Sequence, residues 1–150
     1  AVPVVSKPNN LTVVLAEDDD GHALLVARHF RRAGHQSQIV RLRDGCEVLD
    51  YFLRPPAHDG GSLLLLDVDL PRLSGLDVLQ RLKQNAATRA LPIVMLTTTD
   101  DPRDVARCYE LGCNVYVTKP VGSHEFAEVI ARLAMFLQIV EVPPYVASRR

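Results

Sequence analysis

The chain has 150 residues, with 17 Lys+Arg against 18 Asp+Glu and a formal net charge of −1, which is one domain's worth of near-neutral polypeptide. Apolar residues make up 47% and charged residues 23%, the balance of a globular chain that buries roughly 68–70% of its unfolded surface without staples. No Lys/Arg run is present, so a nucleic-acid footprint is excluded, and apolar stretches such as Leu63 to Leu66 and Ile93 to Leu96 fall far short of the roughly 20 residues of a membrane helix.

Residues 1–10 carry two prolines and two asparagines with no usable period, and read as a disordered leader outside the core. From Leu11 onward, short β-branched or leucine runs alternate with segments of helical spacing. The expected strands are Leu11 to Leu15, Gln38 to Leu42, Ser62 to Leu66, Pro92 to Leu96 and Asn114 to Thr118, and each gap between them can hold one crossover helix. Val13 to Leu15, Leu63 to Leu66 and Ile93 to Leu96 do not alternate with polar residues, as expected of central parallel strands covered on both faces. The first helix places Ala23, Val26, Ala27 and Phe30 on one stripe and stops at Gly34. Ser74 followed by Asp77 resembles a capping box, and Asp101-Pro102 supplies a cap and a first-turn proline for a helix that Gly112 ends. The last helix starts near Ser123 and carries Phe126, Val129, Ile130, Leu133 and Leu137. Five β-α units in succession predict a doubly wound α/β sheet.

Ligands of open parallel sheets bind beyond the carboxyl ends of the strands. There the sequence offers Glu17 and Asp18 after the first strand, Asp67 and Asp69 after the third, Thr97 after the fourth and Lys119 after the fifth. If the first and third strands are neighbours, Glu17, Asp18 and Asp67 converge, and two such charges 4 Å apart repel by about 4 kcal/mol at an effective dielectric of 20. An all-oxygen set that leaves room for water suits Mg²⁺. Three carboxylates, Mg²⁺ and the Lys119 ammonium sum to zero, a site that an incoming phosphoryl group can enter. Asp67 is then the candidate nucleophile, with Thr97 and Lys119 as candidate donors to phosphoryl oxygens.

This constellation resembles the receiver domain of two-component response regulators, over Leu11 to about Val140. The resemblance implies a flavodoxin-like (βα)5 fold with a five-stranded parallel sheet in order 2-1-3-4-5, a receiver domain over 11–142 and a tail over 143–150. It implies Mg²⁺ held by Glu17, Asp18, Asp67 and the backbone carbonyl of Asp69, phosphoacceptance at Asp67, and switching through Thr97 and the aromatic Tyr116. Pro71 and Gly75 match the family's landmarks after the acceptor. The stretches Val94 to Thr99 and Val115 to Pro120, with the Val-Pro-rich extension after Leu137, are similar to the small regulators that partner bacterial phytochromes. The expected partners are therefore a sensor histidine kinase, with a bacteriophytochrome as candidate, and a second copy of the chain docked through the last helix and extension. The expected activity is that of a switch with autophosphotransfer and slow autodephosphorylation, without further enzymatic turnover.

Two other functions use the same residues. Asp67-Val68-Asp69 is a D-x-D pair such as phosphatases use, though on the third strand and not the first, and a pseudo-receiver would dimerise without phosphate. Asp19, Asp20 and Asp44 are read as helix caps, and the five histidines as surface or packed positions. Cys46, Cys108 and Cys113, an odd number without metal-finger spacing, are read as packing residues of a cytoplasmic protein.

Overall fold

The computed structural model describes residues 11–33, 38–54 and 61–137. Its elements are β1 (Thr12–Ala16), α1 (Asp20–Arg32), β2 (Gln38–Leu42), α2 (Gly45–Leu53), β3 (Ser62–Asp67), α3 (Gly75–Gln84), β4 (Ile93–Thr97), α4 (Pro102–Glu110), β5 (Val115–Thr118) and α5 (Ser123–Leu137). All strand pairs are parallel and the sheet order is β2-β1-β3-β4-β5, the doubly wound arrangement that the alternating sequence pattern predicts. The expectations for residues 1–10, for Gly34 as the stop of α1 and for the extension beyond Leu137 lie outside the described residues.

Two apolar layers cover the sheet. Val14, Leu64, Leu66, Ile93 and Met95 pack against Val48 and Phe52 of α2 and Val78, Leu79 and Leu82 of α3. On the opposite face, Val13, Leu15, Leu63, Leu65, Val94 and Leu96 meet Val26 and Phe30 of α1 and Phe126, Ile130 and Leu133 of α5. Alternate residues of β1, β3 and β4 thus point into different cores, which is why these strands read as unbroken apolar runs.

Three strand starts differ by one residue from the sequence expectation, at β1, β4 and β5. At β4, Pro92 has no N–H to give the ladder and contributes only its carbonyl, to Leu64 N–H at 3.0 Å. The caps form as expected, Ser74 accepting from Asp77 N–H and Asp101 from Arg103 N–H. Asp19 and Asp44 cap α1 and α2. Asp20 does not cap: it lies in the first turn of α1 and pairs with Arg41 at 2.6 Å and Arg43 at 3.0 Å.

Candidate functional site

The order of the strands reverses between β1 and β3, so their carboxyl ends open a crevice there. The register pairs Ala16 with Leu66, which sets Glu17 and Asp67 side by side one residue further on. Glu17, Asp18 and Asp67 each offer a carboxylate oxygen within 4.8 Å of the others, Glu17 and Asp67 buried and Asp18 exposed. The convergence expected from sequence is present, and it has the open, all-oxygen character of a small divalent-cation site.

Lys119 follows β5 directly and crosses to this cluster. Its Nζ donates to Glu17 Oε1 at 2.5 Å and to Asp67 Oδ2 at 2.8 Å, with only 4% of the residue exposed. Burial pushes the Glu17 carboxyl above its usual range and the Asp67 charge adds to this, while the hydrogen bond and charge of Lys119 oppose it. For Lys119, burial alone would lower the pKa, but its bonds to Asp67 and Glu17 outweigh that and raise it. The ammonium therefore stays charged, which is what two adjacent carboxylates require.

The remaining expected residues lie at the end of β4, on β5 and in the loop after β3. Thr97 ends β4 and is fully buried, one residue beyond the Leu96 that pairs with Asp67. Asp69 is exposed and its backbone N–H donates to Asp67 Oδ1 at 3.0 Å; the carboxylates that converge are those of Glu17, Asp18 and Asp67. Tyr116 lies on β5, half-buried, and its hydroxyl donates to the Thr99 carbonyl at 2.6 Å. Burial pushes this phenol up to about 12. Gly75 is required by close approach: a Cβ there would lie 2.1 Å from the Asp67 carbonyl oxygen.

Three supporting residues escape a reading of the sequence. Arg41 of β2 donates from Nε to the Glu17 carbonyl at 2.9 Å while its Nη1 holds Asp20, tying the acidic loop to the neighbouring strand. His22, expected as a surface or packed position, packs against Phe126 with ring centroids 4.8 Å apart and planes tilted by 59°, and brings Nδ1 to 3.7 Å from Glu17 Oε1. Phe126 in turn lies 5.8 Å from Lys119 Nζ. The one sequence signal is helical spacing, since His22 sits four residues after Asp18, near the start of α1.

Sheet order and pocket together define a flavodoxin-like α/β protein with its polar site at the topological switch point. The family model for the response regulator receiver domain matches residues 13–131, and the chain belongs to that family. A receiver domain from Rhodospirillum rubrum superposes with a TM-score of 0.83 at 40% identity, covering 91% of this chain and 99% of that one. Response regulator Rcp1 of Synechocystis is 29% identical over 87% of this chain and 92% of its own length. Its Mn²⁺-bound structure gives a TM-score of 0.78 over 88% of this chain and 98% of that one. The phosphorylated cyanobacterial phytochrome response regulator RcpA gives 0.78 at 25% identity, over 88% and 97%. The chain thus resembles phytochrome-associated response regulators, members of a family of signalling switches and not classical enzymes. Among the described residues no helix is long and apolar enough to cross a membrane.

Proposed function

We propose that the chain is a phosphorylation switch in which Asp67 accepts a phosphoryl group from the phosphohistidine of a sensor kinase, with Mg²⁺ as cofactor. The P–N bond of the kinase breaks as a bond forms between phosphorus and an Asp67 oxygen, and the imidazole leaves with the electron pair and takes up a proton. The observation that carries this reading is the buried Lys119 ammonium held by Glu17 and Asp67 together. A lysine shared by two carboxylates can follow the charge when a dianionic group is added to one of them.

The three clustered carboxylates are all-oxygen donors and fit Mg²⁺, with the Asp69 backbone carbonyl as a further ligand. Bound there, the ion would neutralise charge on the carboxylates and on the phosphoryl oxygens. The protein's own part is positional. Asp69 N–H orients one Asp67 oxygen, Lys119 the other, and Thr97 waits at the end of the adjacent strand to donate to the phosphoryl group. Movement of Thr97 then releases Tyr116 to repack, and the phosphoryl group favours that state because only there does it gain the Thr97 bond.

The resemblance to the cyanobacterial phytochrome response regulator RcpA supports a phytochrome-type kinase, with a bacteriophytochrome as candidate. On α5, Met135 and Phe136 are 64% and 52% exposed, which supports a homodimer through α5 and the extension after it. The receiver unit is taken as residues 11–142, in a cytoplasmic setting.

The test is sedimentation velocity and Tyr116 amide NMR with Mg²⁺ and beryllofluoride, a phosphoryl mimic. Both signals are expected to change in the native chain and in neither Asp67→Asn nor the metal-free sample. An unchanged Tyr116 signal in the native chain would favour a pseudo-receiver.

A further inference from the structure

β5 is the last strand of the sheet, bonded to β4 on one side only. The Tyr116 N–H points off the open edge, where a backbone donor needs a partner from outside the ladder. It donates to the hydroxyl oxygen of Tyr109, on α4, at 3.1 Å. The Tyr116 hydroxyl is held by the same region of the chain, at the Thr99 carbonyl. Thr99 in turn donates its N–H to Thr97 Oγ1 at 3.4 Å and its hydroxyl to Asp104 Oδ2, in the first turn of α4, at 3.2 Å.

Both ends of the residue are therefore fastened to one unit, the β4–α4 loop with α4. Tyr109 is 48% exposed, so half of its ring contributes nothing to the core, while its hydroxyl reaches a backbone group. A phenol placed at the C-terminal end of α4 to meet the backbone of β5 does more than fill space.

We infer that Tyr109 is a positioning residue of the switch: its hydroxyl clamps the β5 backbone at Tyr116 to α4 and sets how easily Tyr116 leaves its resting place. The Tyr116 side chain cannot turn away without giving up the Thr99 bond, and its backbone cannot shift relative to α4 without giving up the Tyr109 bond, so where switching separates β5 from α4 the clamp stabilises the resting state alone. By linkage, removing an interaction made in one state only shifts the equilibrium toward the other. Loss of one hydrogen bond of this kind corresponds to a shift of about threefold to tenfold. The switching role rests on the phosphorylation reading, whereas the clamp exists without it.

The experiment uses Tyr109→Phe, which keeps the ring and deletes the hydroxyl, in the full chain. Hydrogen exchange of the Tyr116 amide, measured by NMR without phosphate or mimic, is expected to speed up about threefold to tenfold, with β4 amides unchanged. The half-saturating beryllofluoride concentration, in Mg²⁺, is expected to fall by the same factor. Unchanged Tyr116 exchange overturns the clamp. Faster exchange with an unchanged beryllofluoride midpoint overturns the switching role. A native chain that ignores beryllofluoride refutes the phosphorylation reading and with it the switching role, while the exchange rates still decide the clamp.

Discussion

Replacing Lys119 by methionine should do two opposite things to the site. The ammonium contacts Glu17 at 2.5 Å and Asp67 at 2.8 Å, and all three residues are buried. At such separations each attraction is of order 6 kcal/mol gross at an effective dielectric of 20, most of it offset by the cost of desolvating the charges. Deleting one partner of a buried ion pair typically costs about 3–5 kcal/mol. Asp18 is exposed and gives water a path to the carboxylates, so the lower figure applies, about 3 kcal/mol. For a chain of this size that is a fall in Tm of roughly 6–12 °C. The cluster's charge meanwhile changes from −2, three carboxylates and one ammonium, to −3, and the variant should bind Mg²⁺ more tightly than the native chain. At a hundredfold excess over Kd the ion stabilises by about 2.7 kcal/mol, nearly the whole loss. Differential scanning calorimetry with and without Mg²⁺ reads both effects. A fall in Tm under about 2 °C, or equal Mg²⁺ shifts in variant and native chain, would refute the reasoning.

Gly75→Ala forces a Cβ to within 2.1 Å of the Asp67 carbonyl and 2.8 Å of the Val68 Cα. Because these are backbone atoms, urea unfolding should show a loss of about 2–3 kcal/mol, and calorimetry a weaker Mg²⁺ site. Arg72 sits at φ 70, a conformation that costs a non-glycine residue about 1–2 kcal/mol. Its pair with Asp44 is 3.7 Å long and exposed on the arginine side, so Arg72→Gly should stabilise by about 0.5–1 kcal/mol in the same assay. Tyr116, pushed up to about 12 from 10.0, supports the fold below pH 10 and loses that contribution as pH rises to 12, because the unfolded phenol ionises first. Ultraviolet titration should show a late tyrosinate step that Tyr116→Phe diminishes, together with the alkaline slope in stability, the remainder coming from Tyr51, whose phenol burial also pushes up.

The carboxylates, Thr97 and Lys119 were legible in the sequence because a parallel sheet places strand ends on one edge, so residues 102 positions apart such as Glu17 and Lys119 meet once the strands are found. The fold was legible for the same reason: the unbroken apolar runs of β1, β3 and β4 mark strands buried on both faces. What depends on the direction of a single side chain was not. Nothing in the residue order tells that Arg41 bonds the Glu17 carbonyl, that Asp20 takes two arginines instead of capping, or that His22 lies on Phe126. These contacts arise where β2 meets the start of α1 and where α1 meets α5, and helix rotation sets them. The Tyr109 hydroxyl on the β5 backbone is of the same kind.

Phosphoacceptance by Asp67 in a Mg²⁺-dependent switch is read out by intact mass after incubation with acetyl phosphate. An adduct of about 80 Da, one phosphoryl group, is expected in the native chain with Mg²⁺, and none in Asp67→Asn or without metal. An adduct that persists in Asp67→Asn, or no adduct in the native chain with Mg²⁺, would contradict it.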